Sequence, residues 1–298
     1  MTLPPLYKYL DVQGAKLTLG NGTFKHAKPS DFNDTEDLTI QSIFPEDVET
    51  AVKRASRGML DVILRHLDKA PTCGSPMREK LAAIQEALRA DPGLGAAMKA
   101  EIDKGALDGV HDVEHMRTLA ESTIKGVNAF MQDWRVLCVT TYKDSDRMWC
   151  GYAENHKGIA LRIEANVEKD SKFQKFQPVV YRKKRPPLHE DTLEFVAGGL
   201  FGNQETRYKA IMEKIIYAKT LDWQHEGEYR LAIPLAPGEE PWNTLPYHPE
   251  EITEIYLGAA MTDADKKDIL GRAQAINPGV TIFQAVRKAG GKIAFEAR

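Results

Sequence analysis

Apolar and polar residues change rhythm several times along the chain. Leu6-Tyr7-Lys8-Tyr9-Leu10 puts two aromatics on one face of an extended segment and a lysine on the other, which is the alternation of a strand. Lys16-Leu17-Thr18-Leu19 alternates in the same way, Asn21-Gly22-Thr23 follows as a turn, and a short strand is predicted at 23–26. The next stretch, Pro29 to Asp34, gathers turn formers around one aromatic, Phe32, which looks pinned. From about residue 45 the period becomes helical. Val48, Val52, Met59, Ile63 and Leu67 share one face, and Leu81, Ile84 and Leu88 share another. The group Asp91-Pro92-Gly93 breaks the pattern before further helices at 96–102 and 113–130.

Strand character returns at 134–142, rich in β-branched and aromatic residues, and again at 159–163, 178–181, 228–233, 254–257 and 280–286. A short turn or helix carries Met148 to Ala153, and longer helices are predicted at 192–217 and 263–276. The expectation is one α+β domain, 1–298. Its mixed or antiparallel β core comes from 1–44 and 134–298, and a large helical insertion spans 45–133.

Composition narrows the class. With 42% hydrophobic residues the chain can bury a core without metal or disulfide staples, and a net charge of −3 gives no overall pull toward nucleic acid or membrane. Cys73, Cys138 and Cys150 are odd in number and far apart, which argues against a disulfide framework and a thiolate zinc cage. Residues 1–10 lack a basic segment followed by an apolar run, and no stretch approaches a membrane span. A reducing, cytoplasmic setting is expected. His111 and His115 have the spacing of a zinc pair, but no third ligand is obvious, so no metal site is expected.

Two clusters carry candidate chemistry. In the late one, Lys219 to Arg230, Glu226 and Glu228 sit at spacing two. On a strand both carboxylates crowd one face, which calls for cations such as Lys219 and Arg230, or for a catalytic task. The plainer reading is an edge strand with solvated charges. In the middle cluster, Trp149 and Tyr152 share a helical face as a possible stacking wall, and His156 is available for acid–base work. The plainer reading there is a helix anchored to the sheet by its aromatics. The basic run through Lys172 and Arg185 has the look of a nucleic-acid surface, diluted by acidic neighbours.

Taken in order, Tyr7-Lys8-Tyr9, Phe32-Asn33-Asp34-Thr35, Trp149 to Gly158 and Trp223 to Arg230 resemble an uncharacterised bacterial family. That family has Tyr-Lys-Tyr, Phe-Asn-Asp-Pro, Trp-x-x-Tyr-Ala-x-x-His-x-Gly and Trp-x-x-Glu-x-Glu-x-Arg. Thr35 replaces its proline, and Leu10 stands where arginine is frequent. A looser resemblance is to the ADP-ribosyltransferase superfamily. It implies NAD as substrate, and a toxin, effector or defence enzyme that passes ADP-ribose to a protein or nucleic-acid acceptor or hydrolyses NAD. Under that resemblance Glu228 meets the ribose and Glu226 serves the acceptor. Tyr7, Lys8, Tyr9, Thr140, Thr141, Trp149, Tyr152, His156 and Arg230 then surround the dinucleotide. The competing readings are a nucleic-acid- or protein-binding module, with the helical insertion as a partner surface, and a metal-dependent hydrolase or nuclease using Glu226, Glu228 and Asp34.

Overall fold

The computed structural model describes residues 3–107 and 112–298. In chain order it contains β1 (Leu6–Leu10), α1 (Val12–Asn21), β2 (Thr23–Lys25), α2 (Val48–Arg65), α3 (Met77–Ala90), α4 (Pro92–Asp103), α5 (Val113–Met131) and β3 (Trp134–Thr140). There follow α6 (Asp146–Tyr152), β4 (Ile159–Ile163), β5 (Gln177–Pro178), β6 (Val180–Arg182), α7 (Thr192–Phe201), α8 (Gln204–Ile216) and β7 (Ala218–Thr220). The chain closes with β8 (Glu228–Pro234), β9 (Thr244–Pro246), β10 (Ile252–Leu257), α9 (Asp263–Ile276), β11 (Thr281–Arg287) and β12 (Ile293–Ala297). Two compact units emerge. One holds the residues up to Asp37 with Gln132–Lys183 and Lys219–Arg298; the other holds Leu38–Met131 and Lys184–Ala218.

The first unit is built on an eight-stranded sheet in the order β12-β11-β10-β4-β1-β3-β8-β5. Its pairings are antiparallel except β10 with β11, where α9 supplies the crossover that a parallel pair requires. The sequence pattern implied α+β on a mixed or antiparallel sheet; the sheet observed is mixed and largely antiparallel. Period-two alternation gives the sheet two packed faces. Leu6, Leu137, Leu161, Leu231 and Ile255 meet Ala15 and Leu19 of α1 and Ile269 and Ala273 of α9. Tyr7, Tyr9 and Tyr256 meet Met148 and Trp149 of α6.

Residues 16–19 are helix, not strand. Asp11 caps α1 by accepting the Gly14 N–H at 2.5 Å, and Gly22, at φ 64°, ends it. Ala15, Thr18 and Leu19 are its buried positions, a spacing that fits a helix better than a strand. The helix predicted for 192–217 is two helices: α7 ends at Gly202, and Asn203 caps α8 by accepting the Thr206 N–H. Asp91-Pro92 starts a helix as well as ending one, with Asp91 as its cap and Pro92 at the first turn. The strands β7, β9 and β12 had no counterpart in the sequence pattern.

The second unit is helical in the described residues. Leu60 and Ile63 of α2 bury against Leu81 and Leu88 of α3, with Leu94 and Met98 of α4 packed beside them. No helix among the described residues is long and apolar enough to cross a membrane.

Gly158, between α6 and β4, is a position where the packing leaves no room for a side chain. A Cβ there would stand 2.0 Å from the Leu10 carbonyl oxygen. Gly158→Ala is expected to destabilise by about 2–3 kcal/mol or more, as overpacking does. Gly126→Ala, in α5 with nothing near the added methyl, should be neutral or gain up to about 1 kcal/mol. Urea melts of the two variants check this; equal midpoints would contradict the packing described.

Candidate functional site

The cleft begins where two strands part. β1 and β3 share one aligned pair, Tyr7 opposite Thr140, before they diverge. Along the same line β3 and β8 set Thr140 opposite Glu228. Tyr7, Thr140 and Glu228, from three distant parts of the sequence, therefore form one row across three neighbouring strands. Beside it opens a cavity of about 750 Å³, lined by Tyr7, Lys8, Tyr9, Cys138, Thr140, Tyr152, Lys219, Glu226 and Glu228 among others. That volume lies in the range of small-molecule and cofactor sites.

Glu226 and Glu228 are not two residues of one strand. Glu226 ends a 3₁₀ turn (Leu221–Glu226), Gly227 takes φ 50°, and Glu228 begins β8. The turn is pinned from below: Thr140 Oγ1 donates to the Glu226 carbonyl at 2.5 Å, and the Thr141 N–H donates to the Gly227 carbonyl at 3.1 Å. Thr140 and Thr141 thus hold the backbone of the acidic turn.

Both carboxylates are buried, each about 5% exposed, and both meet Lys219. Its ammonium lies 2.5 Å from Glu226 Oε2 and 2.9 Å from Glu228 Oε2. Arg230, wholly buried, donates from Nε to Glu228 Oε1 at 2.7 Å and from Nη2 to Oε2 at 3.1 Å. Its other edge makes a two-point pair with Asp37, at 3.0 and 2.6 Å. Phe32 stacks on the guanidinium at 5.7 Å, which accounts for its pinned loop. Burial pushes the Glu228 carboxyl up, but Arg230 and Lys219 outweigh it and hold the group down to about 2. Burial likewise favours a neutral Lys219, yet Glu228 and Glu226 raise it above the usual lysine range. The Glu228 N–H donates to the Tyr181 hydroxyl at 2.9 Å, and burial pushes that phenol up to about 12.

Glu226 Oε1 is held differently: it accepts from the Tyr152 hydroxyl, which Asn33 Nδ2 approaches at 3.5 Å. Tyr152 is 37% exposed, so this is the part of the network open to the cleft. Its phenol is raised by burial and by the Glu226 carboxylate.

The other sequence-predicted residues divide. Lys8, on the opposite face of β1 from Tyr7 and Tyr9, donates to the Cys138 carbonyl at 3.0 Å, and burial lowers its pKa. The Tyr9 hydroxyl donates to the Tyr142 carbonyl at 3.0 Å. Trp149 is fully buried. It meets Tyr9 edge-on, donates from Nε1 to the Lys143 carbonyl at 2.9 Å and stacks on His156. Trp149 and His156 therefore pack with each other behind α6 and do not wall the cleft. Asp34 does not line the cleft; Asp37, three residues on, joins the network. Asp37 went unread because nothing near it in sequence marks it as a partner for Arg230. His111 lies outside the described residues.

A family model described as protein of unknown function, DUF2971, matches residues 148–231, so the chain is similar to that family over this stretch. This agrees with an uncharacterised family. The matched stretch contains Tyr152, Lys219, Glu226, Glu228 and Arg230. No curated protein and no solved structure matches the chain.

The network sets an acid sensitivity. A carboxylate whose folded pKa is depressed adds stability above its unfolded pKa, and that stability is lost as pH falls through the folded value. For Glu228 the contribution is fully present above pH about 4.5 and fades as pH falls toward about 2. His26, which burial pushes down to about 4, costs stability in a higher window, between about 6.5 and about 4. Glu228→Gln should start less stable and show a shallower loss below pH 4.5, while the step above 4.5 persists. Urea melts across pH 2–7 read both; parallel acid profiles would refute the assignment.

Proposed function

We propose that the cleft binds NAD and breaks its nicotinamide–ribose bond, so that the protein is an ADP-ribosyltransferase or NAD glycohydrolase. The observation that carries the reading is Glu226, a buried carboxylate fixed by Lys219 on one oxygen and capped on the other by a hydroxyl at the cleft. A ribose hydroxyl replaces Tyr152 there without any rearrangement of Lys219. The row Tyr7–Thr140–Glu228 supports an ADP-ribosyltransferase-like arrangement, with an aromatic, a hydroxyl and a carboxylate on adjacent strands.

The chemistry follows from charge. As the bond between ribose C1′ and the pyridinium nitrogen breaks, the electron pair leaves with nicotinamide and the sugar becomes oxocarbenium-like. Asp37, Glu226 and Glu228 bring three negative charges against two positive ones on Lys219 and Arg230, so this network carries a net charge of −1 beside the developing cation, and burial pushes Lys8, the lysine next to it in the lining, toward its neutral form. A preorganised charge in a water-poor site costs no reorganisation at the moment of reaction. Water or an acceptor hydroxyl then adds to C1′, and its proton passes to Glu226 or to solvent. Glu228, with both oxygens held by cations, is the positioning group for Lys219. The geometry thus favours giving Glu226 the ribose contact expected of Glu228 together with its own role toward the acceptor. Lys219 also speaks against a divalent ion shared by Glu226 and Glu228, because the ammonium already occupies the place between them.

Purified protein incubated with NAD, with and without cell extract, should release nicotinamide. Dependence on extract marks transfer to an acceptor. Glu226→Gln should lower the rate at least about 100-fold at a temperature where its melt shows the variant still folded, and Tyr152→Phe should lower it less. Release that survives Glu226→Gln refutes the mechanism. Absence of release, together with no NAD-induced rise in melting temperature, refutes the reading.

A further inference from the structure

We propose that Asp146, Cys150 and His156 form a zinc site, separate from the cleft. Asp146 and Cys150 lie one turn apart on α6, so both project from the same side of that helix. The turn after α6 brings His156 back to them. Three donors of different chemistry meet there: a carboxylate oxygen, a thiol sulfur and an imidazole nitrogen, all within 4.8 Å of one another.

The distances match a common centre. His156 Nε2 lies 3.6 Å from Cys150 Sγ and 3.0 Å from Asp146 Oδ1, and Cys150 Sγ lies 3.9 Å from Asp146 Oδ2. Around one tetrahedral zinc, with bonds of about 2.3 Å to sulfur and about 2.1 Å to nitrogen and oxygen, donors stand about 3.4–3.6 Å apart. Asp146 turns Oδ1 to His156 and Oδ2 to Cys150, so a swing of its carboxylate, on the accessible side, or a grip through both oxygens brings the set to that geometry.

The same nitrogen rules out the other chemistry these residues suggest. In a nucleophilic triad the acid holds one imidazole nitrogen and the nucleophile faces the other. Here thiol and carboxylate both converge on Nε2, while Nδ1 is buried with no hydrogen-bond partner. Asp146 Oδ1 is also buried and accepts no hydrogen bond, although it faces Nε2 at 3.0 Å. A cation held by Nε2, Oδ1 and Sγ gives Oδ1 the partner it lacks. His156 is 2% exposed, so its ring is fixed in place by the surrounding packing. Arg287 stands 3.7 Å from Asp146 with a side chain 57% exposed, so it can withdraw into solvent when a metal takes its place.

The backbone adds a reason for a clamp. Glu154, Asn155 and His156 all take positive φ, at 50°, 52° and 67°. Three consecutive non-glycine residues in that region persist only where the surroundings over-determine them. A mixed nitrogen, oxygen and sulfur set suits zinc over magnesium or calcium, and three protein ligands leave the fourth position to water.

Full-length protein purified without chelator and loaded with zinc should retain about one equivalent after desalting. Cobalt in its place should give a thiolate-to-cobalt charge-transfer band. Stoichiometric zinc should slow alkylation of Cys150, followed by peptide mapping, at least about tenfold. Cys150→Ala and Asp146→Asn, both on the accessible side, should lose the retained metal. Metal retained by Cys150→Ala would place it elsewhere and overturn the site. So would a rate of Cys150 alkylation that zinc does not change.

Discussion

Everything in the cleft depends on where a wholly buried guanidinium finds its counter-charges. Arg230 cannot shed its proton, and its desolvation is repaid only if both edges of the fork are met. Glu228 meets one edge from two residues away; Asp37 meets the other from the opposite end of the sequence. Such a network is weak evidence for stability, since apolar residues of similar volume often fold as well. Its value is positional. Removing one member strands a charge, so the members fix one another, and Lys219 is carried to the one spot where it holds Glu226 at the cleft.

α6 is used on two sides. Its Tyr152 faces the cleft and the acidic turn, while Trp149 enters the core and stacks on His156. A seven-residue helix has little stability of its own, so its orientation comes from these side-chain anchors and from the Ser145 cap. The left-handed turn behind it is therefore part of how Tyr152 is presented, although it lies outside the cleft.

Much of this was legible where a local pattern and the tertiary environment agree. The strands expected at 134–142 and 159–163 and the helix at 263–276 follow from strong alternation or spacing, whereas the grouping of Tyr7, Thr140 and Glu228 was implied only by the resemblance. The meeting of Glu226 and Glu228 with Lys219 and Arg230 was legible too, because crowded carboxylates demand cations. The segment 16–19 misled because four residues of alternation fit either a strand or one turn of helix, and the cap at Asp11 decides. Trp149 misled because helical spacing says which residues share a face but not which of them is buried. Asp37 and the Asp146–Cys150–His156 cluster needed the chain's return path, which no local period encodes.

The parting of β1 and β3 also changes what kind of sheet this is. With one aligned pair between them, the eight strands amount to a five-stranded block and a three-stranded block. The seam is sewn by side chains, Lys8 to the Cys138 carbonyl and Tyr9 to the Tyr142 carbonyl, where a ladder would use backbone amides. Amide rungs are fixed in length, whereas a lysine tether gives. The spacing of the two blocks at this seam is therefore set by side chains, while each block keeps its own backbone register.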